Sequence, residues 1–311
     1  MKAVLQYRAS PRLRQRLREM DLATVVVDEF DKDGFRREMR DAEILLHVLE
    51  PVTATAIEAA PQLRLIQKIG VGVNTIDLDA ARRCEVAVCN MPGTNTQAVV
   101  EMTLLLMLAT LRRVAELDRL TRAGRGWALE PAVADDLGEL AGRAVGLVGF
   151  GGVARRLVPV LEAIGATVLY TSRGPAADQP NRFRPLRELL PMADVLSLHV
   201  PLTSETIGII DAAALAAMKR GSILINTARG RLVDETALVE ALTSGHLRAA
   251  GLDVFSREPV GADDPLLALP NVVVTPHLAW LTAETLERSL AIIAENRRRL
   301  GTGEALLHRV V

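Results

Sequence analysis

Residues 141–174 read AGRAVGLVGFGGVARRLVPVLEAIGATVLYTSRG, and this stretch decides the fold. An apolar run over 144–148 leads into Gly149, Gly151 and Ala154. Val153, Leu157, Val158, Val160, Leu161 and Ile164 then recur at spacings that suit the buried face of a helix, which Gly165 stops. A second short apolar run covers 167–170. Strand, glycine-rich turn, helix and strand within about thirty residues is the layout of a dinucleotide-binding unit. Gly149 permits a tight turn, and Gly151 lets the backbone approach a pyrophosphate with no side chain in the way. Ala154 is small enough for the helix to pack on the strand, and the helix N-terminus offers free N–H groups to phosphate oxygens.

The tip of the second strand predicts which dinucleotide is bound. Folds that prefer NAD place an Asp or Glu there to bond the ribose hydroxyls. Here the strand ends in Tyr170, Thr171, Ser172 and Arg173, with no carboxylate. A hydroxyl followed by a guanidinium suits a 2′-phosphate, so NADP(H) is expected over NAD(H).

The 311 residues suffice for about two domains. Lys+Arg 37 against Asp+Glu 38 leaves a net charge of −1, which marks no nucleic-acid partner. Arg8, Arg12, Arg14, Arg16 and Arg18 are locally dense, but their spacing with Leu13 and Leu17 reads as a solvated helix face. Cys84 and Cys89 fit neither a disulfide framework nor a metal spacing, so no metal is expected, and a reducing cytoplasm is. No signal-peptide pattern opens the chain, and the most apolar helix is too short to span a bilayer, so no membrane role is expected.

Along the rest of the chain, residues 1–90 alternate strand and helix: strands at 2–7, 23–27, 44–49, 63–69 and 86–89, and helices at 11–20, 53–60 and 77–83. Gly70-Val71-Gly72, straight after a strand, reads as an anion-binding turn. Residues 90–96 (NMPGTNT) mark a crossing between domains. One long helix is predicted over 96–123, apolar over much of its circumference and therefore buried inside a domain or between subunits, followed by an extended arm over 124–138. Further strands fall at 193–200, 222–226, 249–254 and 272–275. A last helix is predicted over about 282–299, and residues 304–311 are placed back on the first domain. The fold class is α/β with two Rossmann-like or flavodoxin-like domains, each a doubly wound parallel sheet.

In such sheets ligands bind beyond the carboxyl ends of the strands. Arg229, Asp253, Glu258 and His277 all fall there. An acid/base near neutral pH, a carboxylate to orient it and a guanidinium for an anionic substrate make a hydride-transfer site.

With these residues in view, the chain resembles the D-isomer-specific 2-hydroxyacid dehydrogenase family. The matching segments are VGVNTIDL (71–78), NMPGTNTQAVVEMT (90–103), GLVGFGGVA (146–154), SLHVPLTSETIGII (197–210), MKRGSILINTARGRLVDETAL (218–238), GLDVFSREP (251–259) and NVVVTPHLAWLT (271–282). The resemblance implies an NAD(P)-dependent D-2-hydroxyacid dehydrogenase or 2-keto acid reductase acting on glyoxylate, hydroxypyruvate or a similar small keto acid. It implies that Arg229 holds the substrate carboxylate and keto oxygen, and that His277 is the acid/base. Glu258 would bond the other ring nitrogen and favour the imidazolium. The Val71 and Gly72 N–H groups would cradle the carboxylate.

For the cofactor, the resemblance implies Gly149, Gly151, Gly152, Val153, Ser172, Arg173, Val200, Pro201, Thr206, Thr227, Ala228, Arg229 and Asp253, with Asp253 at the nicotinamide carboxamide and Val200 and Pro201 at the adenine. It implies a substrate domain built from 1–95 and 283–311, an NAD(P)-binding Rossmann domain over 96–282, and a homodimer through helix 96–123. Met102 stands where many members carry His, and Trp280 follows His277 by three residues, either walling the pocket or packing. Ser172-Arg173 matches the NADP-using glyoxylate/hydroxypyruvate reductases of the family. The lack of a regulatory domain after residue 311 speaks against the longer phosphoglycerate dehydrogenases. The alternative is a dinucleotide-sensing, corepressor-like binding protein without turnover. It is disfavoured by the absence of long low-complexity segments.

Overall fold

The computed structural model describes residues 1–20 and 23–311. They divide into two compact units, Met1–Asn95 with Leu281–Val311, and Thr96–Trp280.

The first unit carries five parallel strands: β1 (Ala3–Gln6), β2 (Thr24–Val27), β3 (Ile44–His47), β4 (Leu65–Lys68) and β5 (Ala87–Cys89), in the order β2-β1-β3-β4-β5. Burial of β1 and β3 along their full length explains their apolar runs Ala3–Leu5 and Ile44–Leu46, because helices cover both faces of a parallel sheet. Past the Ala283–Thr302 helix the chain returns to this sheet, where Arg309 bridges Cys89 antiparallel and the Val310 N–H donates to Val88 O at 2.7 Å.

The second unit carries β6 (Ala144–Val148), β7 (Thr167–Thr171), β8 (Val195–Leu198), β9 (Ser222–Asn226), β10 (Leu247–Leu252) and β11 (Val272–Val274), all parallel, in the order β11-β10-β9-β8-β6-β7. Alternate residues feed two cores. Val145, Leu147, Val195, Ile223 and Ile225 pack with the Thr96–Leu111 and Gly152–Ala163 helices. Val148, Leu196, Leu198, Leu224 and Leu252 pack on the opposite face with Leu215, Leu238 and Leu242. This period-two division is the doubly wound architecture read from strand chemistry. Chain order reverses between β6 and β8, which puts the switch point beside the glycine-rich turn.

Three local readings are corrected. The predicted helix over 96–123 is two helices, Thr96–Leu111 and Val114–Arg122. Arg113 between them takes a left-handed conformation at φ 48°, held by ion pairs to Glu116 at 2.7 Å and Asp136 at 3.0 Å. No Gly or Pro marks the break, because the pairing that fixes it comes partly from residue 136. A helix over Lys32–Met39 went unread: Gly34 in its first turn disguises it. There a Cβ would sit 2.1 Å from Asp31 Oδ2, so the glycine lets Asp31 cap the helix at the Gly34 N–H. The arm over 124–138 also contains a short helix, Pro131–Asp135. Among the described residues no helix is long and apolar enough to cross a membrane.

His47 ends β3 in a buried position, its Nε2–H donating to Glu50 O at 2.7 Å. Burial and the charge of Lys68 push its pKa down to about 3, against the pull of that hydrogen bond. A depressed histidine binds its proton only in the unfolded chain, so the stability it contributes is present above about pH 6.5 and is lost as pH falls towards 3. The loss runs at about 1.4 kcal/mol per pH unit. Urea unfolding of wild type and His47→Asn at pH 7, 6 and 5 is expected to show a shallower acid slope in the variant.

Candidate active site

The site at the carboxyl ends of β9, β10 and β11 is built from the buried Asp253 outward. Asp253 follows β10 with its side chain fully buried. Its Oδ1 accepts the Thr275 hydroxyl at 2.5 Å and the Leu278 N–H at 2.9 Å, and its Oδ2 accepts the Ala279 N–H at 2.9 Å. Its backbone carbonyl accepts the His277 N–H at 2.7 Å. Burial pushes the Asp253 carboxyl upward from its ordinary pKa, against the pull of these bonds. Through these bonds Asp253 clamps the turn that carries His277.

That turn holds His277 at φ 55°, a left-handed conformation costly for a residue with a Cβ. Its Nδ1 meets Glu258 Oε2 at 2.6 Å, and among the described residues its Nε2 has no partner. Glu258 is steadied from the other side by the Phe255 N–H, which donates to Oε1 at 2.9 Å. Burial works to raise the Glu258 carboxyl. The bond and charge of His277, the Phe255 N–H and the charge of Arg229 outweigh it and hold the carboxyl below its ordinary value.

Arg229 follows β9. Burial lowers its pKa against the charge of Glu258, yet a guanidinium stays charged at any physiological pH. Gly230 brings Arg229 to Glu258: a Cβ there would lie 1.8 Å from the Phe255 carbonyl carbon, so only glycine lets the two loops touch.

Several supporting residues escaped the sequence reading because their partners are backbone atoms or side chains distant in sequence. Asn226 donates to Arg229 O at 2.8 Å and accepts the Ala228 N–H at 3.0 Å, which fixes the turn after β9. Glu235 accepts the Ser256 N–H at 2.6 Å and also the Ser256 hydroxyl, anchoring the loop that carries Glu258. Thr103 meets Thr227 at 3.0 Å between hydroxyls. Trp280 Nε1 donates to His277 O at 3.1 Å, which gives this tryptophan a packing and capping role on the same turn.

At the switch point, Gly149 takes φ 101°, and a Cβ there would lie 2.5 Å from His199 O. Beside Gly151 the space is open, with nothing within 4 Å of where a Cβ would stand. The Gly152–Ala163 helix begins there without a side-chain cap, so its first N–H groups face that space. This cradle fits a pyrophosphate. Val153 lies on the first turn of the helix, Val200 and Pro201 follow β8, and the Thr206 hydroxyl donates to Pro201 O at 2.6 Å. Ser172 and exposed Arg173 lie just past β7.

In the first unit, the Gly70 and Val71 carbonyls are taken by the Met91 N–H at 2.8 Å and Asn90 Nδ2 at 2.9 Å. The Val71 and Gly72 N–H groups bond no described residue and remain open to an anion.

A phosphate cradle at the switch point of a parallel sheet, with a His–Glu pair and an arginine at neighbouring strand ends, defines a dinucleotide-dependent dehydrogenase. Comparison with known proteins makes the class specific. Residues 104–279 match the NAD-binding domain of the D-isomer specific 2-hydroxyacid dehydrogenases. A glyoxylate reductase from Korarchaeum cryptofilum is 38% identical over 272 residues, 86% of this chain and 82% of that one. A solved protein from Thermus thermophilus superposes with a TM-score of 0.91 at 38% identity, covering 100% of both chains. An NADPH-dependent glyoxylate/hydroxypyruvate reductase from Sinorhizobium meliloti, solved with NADP and malonate, gives a TM-score of 0.85 at 30% identity over 100% of this chain and 96% of that one. The chain belongs to the D-isomer-specific 2-hydroxyacid dehydrogenase family. It is an NAD(P)-dependent oxidoreductase acting on the CH–OH group of 2-hydroxy acids.

Gly230→Ala is expected to push the 255–258 loop away from Arg229 and lower kcat/KM about 100-fold, the scale of a misplacement near 1 Å. Steady-state kinetics beside a binding measurement with NADPH check this. Cofactor affinity should hold within about threefold, since that loop lies away from the phosphate cradle.

Proposed function

We propose that this enzyme reduces a small 2-keto acid of the glyoxylate or hydroxypyruvate class, with His277 as the acid/base and NADP(H) favoured over NAD(H). The observation that carries the reading is the 2.6 Å contact between His277 Nδ1 and Glu258, which leaves Nε2 to meet the substrate oxygen. The reduced nicotinamide, when bound, supplies hydride to the keto carbon. His277 Nε2 delivers the proton to the keto oxygen as the alkoxide forms and takes it back in the reverse direction. Glu258 holds the ring in one orientation through its bond to Nδ1. Arg229 binds the keto oxygen and carboxylate and stabilises the charge that develops there. The open N–H groups of Val71 and Gly72 suit the substrate carboxylate. We assign Gly149, Gly151, Gly152 and Val153 to the pyrophosphate. Val200, Pro201, Thr206, Thr227, Ala228 and Asp253 line the rest of the cofactor.

For the 2′-phosphate we assign Ser172 and Arg173. The absence of a carboxylate at the β7 tip supports this. The unit Thr96–Trp280 is read as the cofactor domain and its companion as the substrate domain. The free thiols Cys84 and Cys89 support a reducing, cytoplasmic setting. A homodimer through the Thr96–Leu111 helix and the segment after it is supported by Leu105 at 56% exposure and Trp127 at 90%.

A panel of 2-keto acids with NADPH and NADH tests the reading. Turnover of glyoxylate or hydroxypyruvate with a higher kcat/KM for NADPH is the expected result; no turnover with any acid refutes it. His277→Ala is expected to lower kcat by about 10²–10⁴-fold with cofactor affinity kept. Arg229→Ala should raise KM for the acid as well as lower kcat. Leu105→Glu combined with Leu108→Glu should give a monomer in sedimentation velocity.

A further inference from the structure

The glycine-rich turn carries a side-chain arrangement that pyrophosphate binding does not use. Phe150, inside the turn, stacks on Tyr170 of β7 with ring centroids 3.8 Å apart and planes at 16°. Arg155, on the helix that follows, lays its guanidinium over the Phe150 ring, 4.6 Å from the centroid. Its Nη1 lies 2.5 Å from Asp178 Oδ2, in the loop after β7. Tyr170 ties that loop down: its hydroxyl accepts the Ala176 N–H at 2.6 Å and donates to Gln179 O at 3.2 Å. Arg155 and Asp178 therefore stand at the same end of β6 and β7 as Ser172 and Arg173, the end where a dinucleotide fold holds the adenosine ribose.

We propose that Arg155 is a second specificity-determining cation for the 2′-phosphate of NADP(H), and that Asp178 competes with the phosphate for it. The inference rests on the NADP(H) reading above. Stacking on Phe150 holds the guanidinium in place before any ligand arrives, so little freedom is lost when a phosphate binds. The Arg155–Asp178 pair is solvent-exposed, at 44% and 58%, and such pairs are weakly held. A phosphate dianion accepts two parallel N–H bonds and carries about twice the carboxylate's charge, so it displaces Asp178. With NAD(H), Asp178 keeps Arg155 engaged, so Arg155 is not left facing an uncharged ribose hydroxyl.

Calorimetric binding of 2′,5′-ADP and 5′-AMP to the full chain reads the 2′-phosphate contribution directly, without turnover. Wild type, Arg155→Met, Asp178→Asn and Arg173→Met are compared. Arg155→Met is expected to lower the preference for 2′,5′-ADP over 5′-AMP about tenfold while 5′-AMP affinity stays within about twofold. Asp178→Asn is expected to raise that preference. An unchanged ratio in Arg155→Met, or a parallel weakening of both ligands, overturns the assignment. A fall in 2′,5′-ADP affinity in Asp178→Asn overturns the competition. Loss of preference in Arg173→Met alone leaves the NADP(H) reading standing and removes Arg155 from it. A wild type that binds both ligands equally refutes both.

Discussion

A buried carboxylate must be satisfied, and in this protein that requirement shapes the turn that carries His277. Stripping an ion of water costs several kcal/mol unless it gains hydrogen bonds in return. Asp253 recovers them from Thr275, Leu278 and Ala279, three donors within five residues of the chain. Those donors cannot relax without leaving Asp253 bare, so the turn keeps the backbone conformation that His277 would otherwise avoid.

Two carboxylates separated by a few residues are thereby given opposite tendencies. Burial dominates at Asp253 and pushes its pKa up, while at Glu258 the cationic neighbours and hydrogen bonds win and pull it down. The first holds the turn. The second stays ionised and aims the imidazole. Gly230 couples the pair to Arg229, because the loops after β9 and β10 approach closer than any side chain permits. The geometry of the site therefore depends on backbone contacts as much as on its side chains.

Much of this was legible in the chain. The strands were readable because parallel strands buried on both faces carry unbroken apolar runs, as in Ile223–Ile225. The glycine pattern and the polar groups at strand ends were readable because ligands of such sheets bind there. Residues that act through backbone atoms were not. Asn226 and Glu235 look like any polar residue at a strand or helix end, and their role appears only when Arg229 O and the Ser256 N–H lie within reach. The break at Arg113 was hidden for the same reason, since Asp136 is 23 residues away in sequence.

The sequence by itself determined the class of fold, the family and which polar groups stand at the strand ends: periodicity, turn chemistry and residue type are local properties that survive in one dimension. Tertiary structure alone decided how each carboxylate is bonded, which helix breaks, and how the end of the sheet near Ser172 is furnished. Arg155, Phe150, Tyr170 and Asp178 form one assembly only because β6 and β7 pair in parallel. Hydrogen bonds and ion pairs act over about 3 Å, and only folding brings residues so far apart in sequence to that distance.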